Sequence, residues 1–183
     1  WHDIVFSYDA SDRTARVYLD GNPVIEKPWP RGVENPATGL FSIGFRNNTP
    51  FPGYFDDVRI WDEPLDSADV DLLSPVAQWT FDTPGNPWAD STGKGNTLSW
   101  TGNAIVAHHD PDDDLELKGS VGINDPPSPG LASGLRSFTA AAVIRRNPAI
   151  TNYTSIFYCQ DQNSSQEGDW QVAMTGQGEL YLL

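Results

Sequence analysis

Alternation of apolar and polar residues predicts short β-strands along the chain. The clearest strand is Gly53–Trp61. On a regular strand, Asp56 would share one face with Val58 and Ile60, and we expect that face to be the core. A carboxylate there needs a partner, because an unpaired buried charge costs several kcal/mol or more. A metal ion, an arginine or a set of backbone N–H groups could supply that partner.

The same alternation predicts further strands, which are separated by turn signals such as Asp20-Gly21. They are Trp1–Tyr8, Thr14–Leu19, Val24–Glu26, Leu40–Phe45, Val76–Asp82, Leu98–Trp100, Ala104–Ala107, Leu115–Leu117, Val121–Ile123, Ser137–Arg145, Thr154–Cys159, Trp170–Thr175 and Glu179–Leu183. Residues 63–73 are the one helical candidate, of one or two turns at most. Leu65, Val70 and Leu73 within it are placed to dock onto a sheet. Many short strands with one short helix at most predict an all-β fold, a two-sheet antiparallel β-sandwich or jelly roll.

The composition indicates a globular protein with a substantial core. The 183 residues suit one domain or two partial ones, and 38% of them are hydrophobic. No apolar run reaches about 18 residues, so we expect no membrane insertion. The net charge of −14 disfavours nucleic acid as a partner, because phosphate backbones require clusters of lysine and arginine. The chain starts at Trp1 without a signal peptide, which indicates a mature segment or a piece of a longer protein.

The order of several motifs along the chain is specific. In residues 1–74, the run Val17-Tyr18-Leu19-Asp20-Gly21 is followed by Phe41-Ser42-Ile43-Gly44 and then by the Gly53–Trp61 strand. This succession resembles the C-terminal half of a laminin G-like, concanavalin A-like jelly-roll domain. Residues 76–183 resemble the N-terminal half of such a domain. One family domain would therefore read from residue 76 to 183 and then from 1 to about 74.

The permuted order of the two halves has two explanations. Either the chain closes into one sandwich as a circular permutant, or it is a window cut across a tandem array or an assembly. In the second case, residues 1–74 complete the preceding unit, and residues 76–183 need the next copy, joined head-to-tail as in a filament. A half sandwich alone would expose edge strands and an open core. The sequence leaves both explanations open.

The resemblance also implies a structural Ca²⁺ site. In the similar jelly-roll glucanases, an Asp-x-Val-Arg strand supplies one carboxylate to calcium, and Asp56 stands at the matching position of this chain. Loop carbonyls near Asp90 and Gly93 are the expected co-ligands, because strand Val76–Asp82 should pair beside the central strand. The alternative is that Asp56 accepts hydrogen bonds from loop N–H groups or pairs with an arginine.

Catalytic motifs are absent from the sequence. Retaining glycosidases need two carboxylates about 5 Å apart. Similar glucanases supply them with a Glu-x-Asp-x-x-Glu spacing, which does not occur in this chain. We therefore expect that the protein is not an enzyme.

Tryptophans in or next to loops are the candidate ligand contacts. Trp29, Trp88 and Trp100 could stack on sugar rings, and anchoring of the loops is the alternative role. The leading hypothesis is a non-catalytic extracellular or cell-surface binding or adhesion module whose ligand is a glycan or an extracellular protein. The alternative is a structural, self-assembling repeat of a surface array or filament, in which the neighbouring subunit completes the sandwich.

Overall fold

The computed structural model describes most of the chain as β-strands and turns. The described residues are 1–30, 40–46, 49–83, 85–101, 104–108, 113–117, 122–124, 136–147, 153–160 and 170–183. These ranges contain no helix, and hence none long enough to cross a membrane. In chain order the strands are β1 (His2–Asp9), β2 (Thr14–Leu19), β3 (Asn22–Pro28), β4 (Leu40–Ile43), β5 (Phe45–Arg46), β6 (Thr49–Pro50), β7 (Gly53–Trp61), β8 (Ala77–Trp79), β9 (Ser99–Thr101), β10 (Ala104–His108), β11 (Asp113–Leu117), β12 (Gly122–Asn124), β13 (Phe138–Arg146), β14 (Thr154–Gln160), β15 (Trp170–Met174) and β16 (Leu180–Leu182).

The strands form two large antiparallel sheets. The larger sheet runs β10-β11-β7-β13-β1-β2-β3, and β8 pairs beside β7 as its eighth strand. The smaller sheet runs β16-β15-β14-β4-β12-β9, while the two-residue strands β5 and β6 form a separate ribbon. This arrangement confirms the predicted all-β, two-sheet antiparallel sandwich, and every predicted strand overlaps an observed one.

An aromatic core fills the space between the sheets. Trp170 of β15 stacks on Phe6 of β1 with ring centroids 4.6 Å apart, and it lies 5.0 Å from the ring of Phe138 on β13. Ala140 and Ala142, the inward residues in the middle of β13, are small and leave room for these rings. Burial of this apolar area away from water is the main favourable term in folding.

Segments from the two parts of the chain alternate within each sheet. In the larger sheet β13 lies between β1 and β7, and in the smaller sheet β4 lies between β14 and β12. The predicted pairing of residues 76–82 with the central strand is confirmed, because Trp79 of β8 lies opposite Val58 of β7. The interpretation of residues 1–74 and 76–183 as permuted halves of one family domain stays a prediction.

A β-bulge interrupts the central strand β7 at Asp57. This residue has a φ of 46°, in the left-handed region, and the pairing with β13 shifts at the same place. Ala141 lies opposite Arg59, whereas Val143 lies opposite Asp56, so β7 holds one residue more than β13 between these pairs. Aspartate tolerates the left-handed conformation, and the Asp57 N–H donates to Asp56 Oδ1 at 2.7 Å.

The extra residue changes which side chains of β7 point inward. Phe55, with an exposed fraction of 0%, joins Val58 and Ile60 in the core. Asp56 lies opposite the outward-facing Val143 and is part-buried on the outer face of the larger sheet. The prediction that Asp56 occupies the core face is therefore wrong, because it assumed a strand without a bulge.

Residues 62–73 cross the outer face of the larger sheet as turns rather than as the predicted short helix. Leu65 and Val70 are buried against the sheet, as predicted, whereas Leu73 is 42% exposed, contrary to the prediction. The Leu65 N–H donates to Thr139 Oγ1 at 2.7 Å, which fixes the segment to β13. So short a segment forms a helix only with strong local support, and contacts with the sheet determine its path instead.

The bulge predicts unequal effects of alanine substitution at neighbouring positions of β7. Phe55→Ala removes a fully buried ring and should lower the free energy of unfolding by about 3–5 kcal/mol. Asp56→Ala removes an outward-facing hydrogen-bond acceptor and should lower it by about 1 kcal/mol. Denaturant unfolding of both variants beside the wild type measures the two effects. The reverse order of the effects would indicate a regular strand and contradict the bulge.

Candidate functional site

A recess opens on the outer face of the larger sheet, beside the turns that cross it. Its volume is about 290 Å³. Small or apolar residues of β1 and β13 form the floor, and the walls come from the β2–β3 turn, the 67–71 turn and the bulge of β7. We call this the outer recess. It is lined by Asp3, Ile4, Val5, Asp20, Gly21, Asp57, Arg59, Ser67, Val70, Asp71, Ala141, Ala142 and Val143.

A tight turn and one side-chain hydrogen bond hold the walls of the outer recess in place. Asp20 and Gly21 have φ values of 49° and 78°, so both central residues of the β2–β3 turn are left-handed, as the predicted tight turn requires. Ser67 Oγ donates to the Gly21 carbonyl oxygen at 2.9 Å. This bond holds the crossing turn against the hairpin and closes one side of the recess.

Arg59 is the centre of the polar contacts in the outer recess. Its Nη2 donates to Asp57 Oδ2, and its Nη1 donates to Asp71 Oδ1 at 2.9 Å. The hydrogen bond to Asp57 is the main reason that the pKa of Arg59 lies above its usual value, although burial opposes this effect. Gln78 of β8 donates through Nε2 to the other oxygen of Asp57 at 2.7 Å. Asp57 thereby links β8 to the arginine.

Asp20 forms a second polar group at the rim. His2 Nδ1 lies 2.8 Å from Asp20 Oδ2, and the Asp3 N–H donates to Asp20 Oδ1 at 2.9 Å. The hydrogen bond with His2 lowers the pKa of Asp20, more strongly than burial raises it. The described lining therefore holds one guanidinium among four carboxylates, those of Asp3, Asp20, Asp57 and Asp71.

This arrangement is rich in hydrogen-bond acceptors that are held in place. Carboxylates accept hydrogen bonds from hydroxyl groups, and such charge-assisted bonds are stronger than neutral ones. The floor is small and apolar, and the volume lies near the lower end of the range for ligand sites, which is roughly 300–1,000 Å³. The outer recess therefore suits a small ligand that carries several hydroxyl groups and one apolar face.

The carboxylate of Asp90, whose loop is predicted to supply carbonyl ligands to calcium, is saturated by donors of the chain itself. Oδ1 accepts hydrogen bonds from the Gln78 N–H at 3.2 Å and from the N–H and hydroxyl of Thr92 at 2.9 and 2.7 Å. Oδ2 accepts from the N–H and side-chain amide of Asn96 at 3.1 and 3.0 Å. Two carboxylate oxygens offer about four lone-pair sites. A carboxylate with five donors does not suit a calcium ligand.

The other two predicted calcium-site residues lie on different elements. Gly93 belongs to the Asp90 loop, where its N–H donates to the Asp90 carbonyl oxygen at 3.1 Å. Asp56 lies on the outward side of β7 and accepts from the Asp57 N–H. Within the described ranges, no group of three or more His, Cys, Asp or Glu residues could hold a metal ion. Calcium at Asp56 stays a prediction.

The three candidate tryptophans occupy different environments. Trp88 is 9% exposed and packs edge-on against Phe81, which favours the alternative role of anchoring its loop over contact with a ligand. Trp29 is half-buried against the core, and its ring centroid lies 4.7 Å from Lys27 Nζ. Trp100 lies in β9, and its side chain is outside the described residues.

Sequence reasoning missed the residues that shape the outer recess, above all Asp57, Arg59 and Asp71. One signal was available in the pair Asp56-Asp57. Two adjacent carboxylates cannot both point to solvent from a regular strand that is covered on both faces. Their presence in β7 therefore indicated an irregularity. The contact of Arg59 with Asp71 depends on the path of the crossing turn, which residue alternation does not encode.

The hydrogen bonds of Asp90 predict a pH-dependent stabilisation. Burial raises the pKa of Asp90. The hydrogen bonds from Thr92, Asn96 and Gln78 lower it by more, so the net pKa lies below the usual value. Asp90→Asn should lower the free energy of unfolding by about 1–3 kcal/mol near neutral pH, because an amide nitrogen replaces an accepting oxygen. The wild-type carboxylate stabilises the fold above the unfolded pKa of about 3.9 and loses this effect as the pH falls through the folded pKa. Urea unfolding should therefore show the difference shrinking in acid.

Asp62→Asn, at an exposed position, is the matched control and should change stability little at either pH. Repeating both measurements in EDTA and in excess calcium separates two accounts of the Asp90 loop. If hydrogen bonds alone hold the loop, the effect of Asp90→Asn is equal in the two solutions. An effect that disappears in EDTA would contradict the hydrogen-bond account and favour calcium.

Comparison with known proteins finds one family similarity, which covers part of the chain. Residues 1–71 match the laminin G family model that is described as the concanavalin A-like lectin/glucanases superfamily. No curated protein and no solved structure matches the chain. The matched segment contains β1, β2, β3 and the central strand β7, which are built into the antiparallel sandwich. Residues 1–71 are therefore similar in sequence to this family, which confirms the resemblance predicted from the motifs of that segment.

Proposed function

We propose that the chain is a non-catalytic binding module of an extracellular or cell-surface protein, and that its ligand is a saccharide held in the outer recess. The observation that carries this proposal is Arg59, which is held between Asp57 and Asp71 above a small apolar floor. The family match of residues 1–71 supports a lectin-like binding module in general.

Saccharides combine hydroxyl groups with apolar C–H faces, and the outer recess offers a counterpart to each. The Asp71 side chain is 79% exposed and presents carboxylate oxygens to hydroxyl donors. Val5 and Ala141 of the floor can contact the apolar face of a ring. Arg59 is already held by two carboxylates, so binding orders few additional side-chain torsions. Charge, shape and rigidity therefore favour a small polyhydroxylated ligand.

The same contacts favour binding over hydrolysis. The carboxylates of Asp57 and Asp71 are both engaged by the guanidinium of Arg59 rather than presented across a glycosidic bond. A glycosidase requires one carboxyl group as general acid and a second as nucleophile or base. The sequence also lacks the Glu-x-Asp-x-x-Glu spacing with which the similar glucanases supply that pair.

The alternative of a self-assembling repeat requires a sandwich that a neighbouring subunit completes. In the described part of the chain, β13 already occupies the place between β1 and β7. Lys27 Nζ donates to the Leu182 carbonyl oxygen at 2.6 Å, which joins the edge strand β3 of one sheet to the edge strand β16 of the other. These contacts favour a module that closes on itself, with a glycan ligand, over head-to-tail assembly.

The proposal predicts that Asp71→Asn weakens binding of neutral saccharides about tenfold or more, because it removes a charge-assisted acceptor. A glycan array would first identify the neutral saccharides that the wild type retains, and calorimetry would then compare the variants. Asp69→Asn is the control, since Asp69 lies in the same turn but outside the described lining. An equal loss in both variants, or retention of no saccharide by the wild type, would contradict the proposal.

We also expect no glycoside hydrolysis by the purified protein. Incubation with a panel of polysaccharides, followed by a reducing-sugar assay, should give the same slow release as buffer. The reason is that Arg59 engages both Asp57 and Asp71 in the described outer recess, which leaves neither of them placed as a general acid or nucleophile. Steady release that a single substitution at Asp57 or Asp71 abolishes would overturn this expectation and make the outer recess an active site.

A further inference from the structure

A second recess lies at the rim of the sandwich, beside the end of β13. Its volume is about 410 Å³. Residues of β1, β2 and β13 line one side of it, and residues of β15 and the turn that follows β15 line the other. We call this the arginine recess. Its described lining consists of Trp1, His2, Leu19, Ile144, Arg145, Arg146, Met174, Gln177 and Gly178.

Arg145 is held in the arginine recess by two aromatic rings. Its Cζ lies 5.0 Å from the ring centroid of Trp1 and 4.3 Å from that of Tyr54, which sits opposite Arg145 on β7. The two rings meet at an interplanar angle of 63°. Cation–π contacts of this kind fix the plane of a guanidinium and leave N–H donors at its edge for a ligand.

Within the described ranges, neither arginine of this recess pairs with a carboxylate, although the chain has 25 acidic residues and only 11 lysines and arginines. Arg16 and Arg59 each contact two aspartates or glutamates. The contacts of Arg145 within the described residues are those with the two rings. Arg146 donates through Nη1 to the Gly176 carbonyl oxygen at 2.5 Å. No acidic residue occurs in the described lining of the recess.

We propose that the arginine recess binds the carboxylate of an acidic saccharide, such as one that contains a uronic acid unit. The edge of the Arg145 guanidinium matches a carboxylate in a two-point, charge-assisted contact. Arg146 adds positive charge and, through its bond to Gly176, fixes the turn between β15 and β16 that carries Gln177. Trp1, 48% exposed, offers an aromatic surface next to the charge.

A saccharide fits this site better than an acidic peptide or a phosphate polymer does. The net charge of −14 repels a ligand that carries many negative charges close together. A uronic acid unit bears one carboxylate among neutral hydroxyl groups, so it gains the contact with Arg145 at little repulsive cost. The choice of a saccharide rests on the proposed function, whereas the anion site itself rests on Arg145, which has no carboxylate partner among the described residues.

The test is a titration of ¹⁵N-labelled protein with methyl β-D-glucuronide and, separately, with methyl β-D-glucoside, which has nearly the same shape without the charge. The side-chain Nε–H signal of Arg145 and the indole signal of Trp1 report this site, and the Arg59 signal reports the outer recess. We expect the Arg145 signal to give a Kd at least about tenfold lower for the glucuronide. Added salt should weaken this binding.

The variants separate a specific contact from general charge. Arg145→Gln should abolish the glucuronide response at Trp1. Arg145→Lys should retain a weaker response, because it keeps the positive charge but loses the planar guanidinium that makes the two-point contact. Arg16→Gln should leave the response unchanged. Equal affinities for the two glycosides, or full binding by Arg145→Gln with an unchanged melting curve, would overturn the anion site. Tighter binding of N-acetyl-glutamate amide than of the glucuronide would overturn the saccharide assignment. An absent Arg59 response to neutral sugars would count against the proposed function alone.

Discussion

The carboxylate of Asp57 is the group on which the outer face of the larger sheet depends. The bulge turns this side chain out of the strand, where one oxygen accepts from Gln78 and the other from Arg59. Arg59 then reaches Asp71 in the turn that crosses the sheet. A single side chain therefore couples the short strand β8, the irregular part of β7 and the segment that covers them. The outer recess exists because these three elements are held at one place.

The bulge also lies where β7 changes its neighbour along one edge. β11 pairs with Tyr54 and Phe55, whereas β8 pairs with residues 58 to 60. A bulge increases the local twist of a strand and interrupts its hydrogen-bond ladder. Two short strands can then share one edge without competing for the same backbone groups. The position of Asp57 between the two pairings explains how the sheet accommodates β8 as an additional member beside β7.

Residue alternation predicted the strands and the sandwich because most strands bury one face. The two-residue period with which side chains alternate along a strand can be read from the local sequence. It failed at Asp56, since one inserted residue exchanges the faces on either side of it. Sequence position also left two roles open for Trp88, ligand contact and loop anchoring, because a loop tryptophan has the same sequence signal whether it is buried or exposed. The approach of Asp71 to Arg59 depends on the tertiary path of the chain, which no local pattern contains.

The two recesses carry opposite charge and adjoin each other at the His2–Asp20 pair. Asp20 lines the outer recess and engages His2, which lines the arginine recess, and its second oxygen accepts from the Asp3 N–H. Asp3 of the outer recess lies opposite Val143, which is two residues, or about 7 Å at roughly 3.3 Å per residue, from Arg145 along β13. This spacing is within the screening length of about 8 Å in physiological salt. The carboxylates of the outer recess therefore weaken the long-range field of Arg145, so a ligand of the arginine recess depends on direct contact with the guanidinium.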